Sequence, residues 1–137
     1  MTTIDAIPFE PDRFSAYGYS PALGIGDLLF VAGQSSIDDS GNTVGVGDFE
    51  AQGHQTFRNL ARVLAAGGSS LADVVKVTVF VTDISQLPTI VALRRQYFTA
   101  PYPTDSLVEV TALSRPELQI EIEAIAIRNT GRPGLAT

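Results

Sequence analysis

The chain has no cysteine, no tryptophan, one methionine, one histidine and one lysine in 137 residues. Without cysteine, disulfide scaffolds, thiol nucleophiles and thiolate zinc sites are excluded. The single histidine, His54, cannot supply the usual zinc set, and no EF-hand spacing offers a calcium loop. Apolar runs of membrane-spanning length are missing too. Met1-Thr2-Thr3-Ile4-Asp5 lacks the basic region and apolar run of a secretory signal. A cytoplasmic protein with no membrane contact is therefore expected. Charge is scarce, at 18% of residues, which is low for a lone soluble monomer and implies surface hidden in an oligomer. Nine Lys and Arg stand against fifteen Asp and Glu, a net charge of −6. That balance argues against nucleic acid, because phosphate binding needs clustered cations.

What is present is enough apolar residue, 45%, to build one core. One domain over residues 1–128 is expected, followed by a turn-rich, frayed tail over 129–137. The most informative stretch is Leu118 to Ile127. Strand alternation puts Ile120, Ile122, Ala124 and Ala126 on one face and Gln119, Glu121, Glu123, Ile125 and Ile127 on the other. Carboxylates on a face that also carries isoleucines need partners or a job, unless both simply cap a solvated sheet edge.

The first dozen residues, with Pro8 and Pro11, read as irregular. Phe14 to Leu23 is a possible strand interrupted by Gly18 and Pro21. Gly24-Ile25-Gly26-Asp27 is turn chemistry, and Leu28 to Gln34 reads as a strand. Asp38 to Asn42 is a loop tip. A helix over about 48–66 is marked by a possible Asp48 N-cap, a stripe of His54, Phe57, Leu60, Ala61 and Leu64, and the terminator Gly67-Gly68. Val74 to Val81 is the clearest strand, with Val75, Val77, Val79 and Val81 expected on one face. A second helix, about 86–98, starts near Pro88 and buries Leu87, Ile90, Val91, Arg94, Tyr97 and Phe98. Two strands follow, about 104–111 and 118–128. This order predicts an α+β fold, a single mixed sheet with two helices packed on one face. Apolar residues on both faces of the strands then predict a second subunit against the other face.

Several segments, in order and spacing, resemble the RidA (YjgF) family of reactive-intermediate deaminases. They are Tyr19-Ser20-Pro21, Gly26 to Gln34, Gln52 to Leu60, Asp73 to Asp83 and Ile120 to Ala126, and the resemblance runs from about Tyr19 to Arg128. It implies a chorismate-mutase-like fold and a homotrimer with three clefts between subunits. It also implies hydrolysis of small imines to a keto acid and ammonia, with no metal or organic cofactor. In such members an arginine at the start of the penultimate strand clamps the substrate carboxylate, and a glutamate on the last strand positions or activates water.

Here the family's Pro-Ala-Arg-Ser segment reads Pro103-Thr104-Asp105-Ser106, so an acid stands where the clamp is expected. A carboxylate repels a carboxylate, by roughly 1 kcal/mol at 4 Å even in water. The asparagine of the second helix aligns with Val91, and the serine before the Gly-Gln pair is Ala32. Tyr19, Gly33 and Glu121 keep the family's residue types.

The candidate catalytic residues are thus Glu121 and Asp105, expected on neighbouring strands. They could bind a cation or divide into acid and base; alternatively Asp105 pairs with an arginine and closes a disused pocket. Tyr19, Gly33, Ala32, Val91, Leu107, Arg94 and Arg95 are the candidate substrate-binding residues. Arg94 and Arg95 follow Val91 by a helical turn and are either a relocated cation or a solvated pair. Tyr19 offers a phenol or fills an interface. His54 reads as a packed or rim histidine. Ser35-Ser36 has no visible base, so a serine nucleophile is unsupported. Three functions follow: a diverged imine or enamine hydrolase acting on a small metabolite, a non-catalytic binding trimer, or a ribonuclease. The net negative charge opposes the last.

Overall fold

The computed structural model describes residues 2–129; of the expected tail, 130–137 lie outside the described residues. Six strands form one sheet: β1 (Ile4–Ala6), β2 (Ala22–Ile25), β3 (Leu28–Ser35), β4 (Val74–Val81), β5 (Thr104–Glu109) and β6 (Ile120–Ile127). Their spatial order is β1-β2-β3-β6-β4-β5, with only β4 and β5 parallel. The helices are α1 (Phe49–Ala66) and α2 (Leu87–Tyr97), and α2 makes the crossover that a parallel pair requires.

Asp48 caps α1, its carboxylate accepting from Ala51 N at 3.0 Å. The buried side of α1 includes Phe57, Leu60, Val63 and Leu64, which join Ile90 and Leu93 of α2 over the sheet. The sheet contributes Val77, Val79, Val81, Ile120, Ile122, Ala124 and Ala126 to the same core. The alternation expected for β6 is the one observed.

Five expectations change. The first dozen residues are not wholly irregular: Ile4–Ala6 pair with Leu23–Ile25 as β1. Residues 14–23 do not form a strand: Ser15–Tyr17 make a 3-10 turn that ends at Gly18 with φ 81°, and pairing starts only at Ala22. Within 24–27, Gly24 and Ile25 belong to β2, and Gly26-Asp27 alone turns the chain into β3. A bulge between Val74 and Lys76 reverses the faces at the start of β4, so Val74 is buried and Val75 exposed. On α2, Leu93 lies in the core, while Leu87 is exposed.

Two buried amides on α1 fix the strand ends. Gln52 Nε2 donates to Gly45 O at 3.1 Å and Glu117 O at 2.9 Å, while its Oε1 accepts from Gln119 N at 2.8 Å. Asn59 Nδ2 donates to Ser35 O and Ile37 O, both at 2.8 Å. The end of β3 and the start of β6 are thereby tied to one helix, next to Gly33 and Glu121.

The sheet face away from the helices is partly apolar and uncovered. Leu28, Phe30, Val108 and Ile127 each keep about two-fifths of their surface open. Among the described residues no helix is long and apolar enough to cross a membrane.

Candidate functional site

Register decides which candidates meet. Glu121 pairs with Ser35 of β3 and Phe80 of β4, on the uncovered face. Asp105 pairs with Val77, on the helix-covered face. Strand β4 lies between β5 and β6. Asp105 and Glu121 are therefore neither on neighbouring strands nor on one face, and a single protomer does not bring them into a shared cleft. The order of the sheet overturns that expectation, because β6 inserts between β3 and β4 rather than beside β5.

On the uncovered face, Glu121 lies against Gly33, and the Tyr19 phenol is near enough to feel the Glu121 charge. The β3–β6 ladder shifts register between Val31 and Gln34, which turns Gly33 toward β6. A methyl group built on Gly33 would stand 2.6 Å from Glu121 Oε2, so only glycine leaves the carboxylate this position. Burial pushes the Glu121 carboxyl above its ordinary value, and the Glu123 charge adds to the shift. Burial also raises the Tyr19 phenol, reinforced by Glu121 and opposed by Arg13. Tyr19 is braced edge-on against Phe14, ring centroids 5.5 Å apart. The group sets a carboxyl of raised proton affinity near a phenol able to donate a hydrogen bond. Ala32 lies one residue away and lines a depression of about 370 Å³ with Phe30, Lys76, Thr78 and Glu123.

On the other face, Arg94 Nη2 donates to Asp105 Oδ1 at 2.7 Å, and the two side chains keep only 24% and 17% of their surface open. Val91, Arg94, Arg95 and Asp105 line one cavity of about 270 Å³ with Tyr102. The pairing expectation for Asp105 thus describes the geometry, although the cavity beside the pair stays open. Leu107 lines neither cavity; it packs against the core. His54 is a packed histidine: Nδ1 lies 2.6 Å from the Tyr97 hydroxyl, and the rings meet edge-on. Among the described residues no group of three or more His, Cys, Asp or Glu could hold a metal ion.

A third and larger cavity, about 650 Å³, opens beside Tyr19 and is lined by Arg13, Tyr17, Ser40, Ser114 and Arg115. Neither Arg13 nor Arg115 carries a signal in the sequence. They come from an irregular segment and from the β5–β6 connection, and neither periodicity nor motif spacing brings those two together.

Residues 11–128 match the family model described as Endoribonuclease L-PSP. The chain belongs to that family, known also as YjgF and RidA. A RutC family protein of Pyrococcus horikoshii is 39% identical over 110 residues, 80% of this chain and 86% of its own. The 2-iminobutanoate/2-iminopropanoate deaminase of Salmonella typhimurium is 35% identical over 113 residues, 80% of this chain and 87% of its own. The crystal structure of RidA from an Antarctic Psychrobacter superposes with a TM-score of 0.82 at 30% identity, covering 90% of this chain and 98% of that one. The chain therefore has the RidA fold, with the uncovered sheet face and the β3 bulge described above.

Proposed function

We propose that the protein is a RidA-type deaminase of altered substrate range, hydrolysing a small imine or enamine in a cleft between subunits of a homotrimer. The observation that carries this reading is the Tyr19–Gly33–Glu121 group, a partly buried carboxyl with raised proton affinity beside a phenol. The deaminase name of the Salmonella relative supports it.

The chemistry carries two protons from water to the imine nitrogen, one after the other. Ionised Glu121 takes a proton from water as the water oxygen attacks the imine carbon. The protonated carboxyl returns that proton to the nitrogen, giving a carbinolamine; the carboxylate then takes the remaining hydroxyl proton and passes it to the amine as the C–N bond breaks, leaving a carbonyl compound and ammonia. A raised proton affinity suits a group that must both take and give. Tyr19 donates a hydrogen bond to the polar atom that develops charge.

The subunit cleft has two supports. Leu28, Phe30, Val108 and Ile127 form an apolar surface that a second copy would bury. In addition, the α2–β5 cavity and the Glu121 group face opposite ways within one protomer, so only a neighbouring copy could join them across a seam. At the α2–β5 wall, Asp105 and its bond to Arg94 occupy the place where the family resemblance implies a carboxylate clamp. That substitution alters the substrate range.

The same Asp105–Arg94 bond favours a second reading, a trimer that binds a metabolite without changing it. Ribonuclease action, which the family model's description names, is disfavoured by the net charge of −6. Incubation with a panel of small imines generated in solution, followed by mass spectrometry, separates the first two. Conversion to the carbonyl product with release of ammonia supports the deaminase; saturable binding with every ligand recovered unchanged supports the binding trimer.

A further inference from the structure

The 650 Å³ cavity beside Tyr19 holds two cations that no other part of the reading uses. Arg13 stacks over Phe14, its guanidinium carbon 5.7 Å from the ring centroid. Its Nε is buried and has no hydrogen-bond partner in the protein. A buried donor left unpaired costs free energy that a ligand can recover. Arg115 Nη1 donates to Thr43 Oγ1 at 3.0 Å, which orients the guanidinium. Tyr17, Ser40 and Ser114, each carrying a hydroxyl, also line the cavity. One acid, Asp39, also lines the cavity, but Arg62 Nη1 engages it at 2.7 Å.

We infer that Arg13 and Arg115 form a subsite for a substrate carboxylate carried away from the reacting carbon. The subsite replaces the clamp given up at Asp105. This rests on the deaminase reading for the word substrate, but not for the binding. Two guanidinium groups with neighbouring hydroxyls match the planar, multi-acceptor geometry of a carboxylate. Tyr19 supplies the direction. Tyr19 lines this cavity with Arg13 and Arg115 while Glu121 does not, so a carboxylate held by the two guanidinium groups lies apart from the reacting carboxyl. The cavity's size also exceeds what a three-carbon acid fills. The substrate class is an imine or keto compound with a distal carboxylate, such as a dicarboxylate skeleton.

Isothermal titration of the whole protein with 2-oxoglutarate, 2-oxobutanoate and dimethyl 2-oxoglutarate tests this. The expected order is 2-oxoglutarate tighter than either comparator by about tenfold, the scale of a charge-assisted pair of hydrogen bonds. Arg13→Gln and Arg115→Gln should each erase that preference, Arg13→Lys should keep part of it, and Arg58→Gln on exposed α1 surface should leave it intact. Equal affinity for the three compounds overturns the inference, as does a preference that survives both glutamine variants. If Arg13→Gln does not fold, Arg115→Gln and the neutral diester still decide. Glu121→Gln separates the two proposals. Tight binding of 2-oxoglutarate without any imine turnover sinks the deaminase and keeps the subsite. Turnover abolished by Glu121→Gln, with no carboxylate preference, does the reverse.

Discussion

Gly33 and Glu121 are matched by a missing atom: a β-carbon on residue 33 would sit 2.6 Å from Oε2 and 3.0 Å from Cγ of the glutamate. The obstacle is the end of a flexible side chain, so Gly33→Ala should move the carboxylate rather than unfold the protein. The expected outcome is a fall in kcat of about tenfold or more, from misplacement of the reacting group, with the melting temperature little changed. Steady-state kinetics alongside thermal unfolding checks both parts.

Glu121 also makes stability depend on pH. Its proton affinity is raised in the folded state above the ordinary value of 4.5. The folded protein therefore holds this proton more tightly than the unfolded chain. The contribution is fully present below the unfolded value and is lost as pH rises through the folded one. Glu121→Gln carries no such loss. Its melting temperature should exceed that of the natural protein at neutral pH, and the difference should shrink as pH falls from the raised folded value toward 4.5 and be small below it. Melting curves across that range report the sign directly.

Gln52 makes three hydrogen bonds to backbone atoms from a fully buried position. Gln52→Leu strands two carbonyls and one amide inside the protein. The expected cost is about 2–4 kcal/mol, since each buried unpaired group costs roughly 1–3 kcal/mol before relaxation. Urea unfolding measures it. Because Gln52 holds the chain at Glu117 and Gln119, the variant should also loosen Glu121 and lower turnover in the molecules that remain folded.

The Arg94–Asp105 bond is short but keeps some solvent access, with 24% and 17% of the two side chains open. Screening by water limits its worth. A double-mutant cycle with Arg94→Ala and Asp105→Ala should give a coupling of about 1 kcal/mol, smaller at high salt. A coupling near zero would mean that the pair does not hold α2 against β5.

Much of the fold was legible because local signals agreed with tertiary demand. The Asp48 cap, the apolar stripe of α1 and the strict alternation of Ile120 to Ala126 each have a mechanism that works within a few residues. Strand order had no such signal. The insertion of β6 between β3 and β4 is a pairing of segments far apart in sequence, and it separates Asp105 from Glu121. The bulge at Val75 escaped notice because a run of valines reads the same with or without a slipped residue. Residues 14–23 looked like a strand from composition, yet Gly18 and Pro21 prevailed. Within the site, strand alternation already singles out Glu121, whereas Tyr19 and Gly33 are legible only through the family resemblance. Arg13 and Arg115 were invisible because an irregular segment and a loop carry them to the same cavity.

The central claim is that the Glu121 carboxyl moves the protons in imine hydrolysis. Its most direct test is the rate of ammonia release from a small imine generated in solution, compared for the natural protein and Glu121→Gln at equal folded concentration. The account predicts a loss of about 100-fold or more, the scale of a removed general acid–base. Equal rates for the two proteins would contradict it.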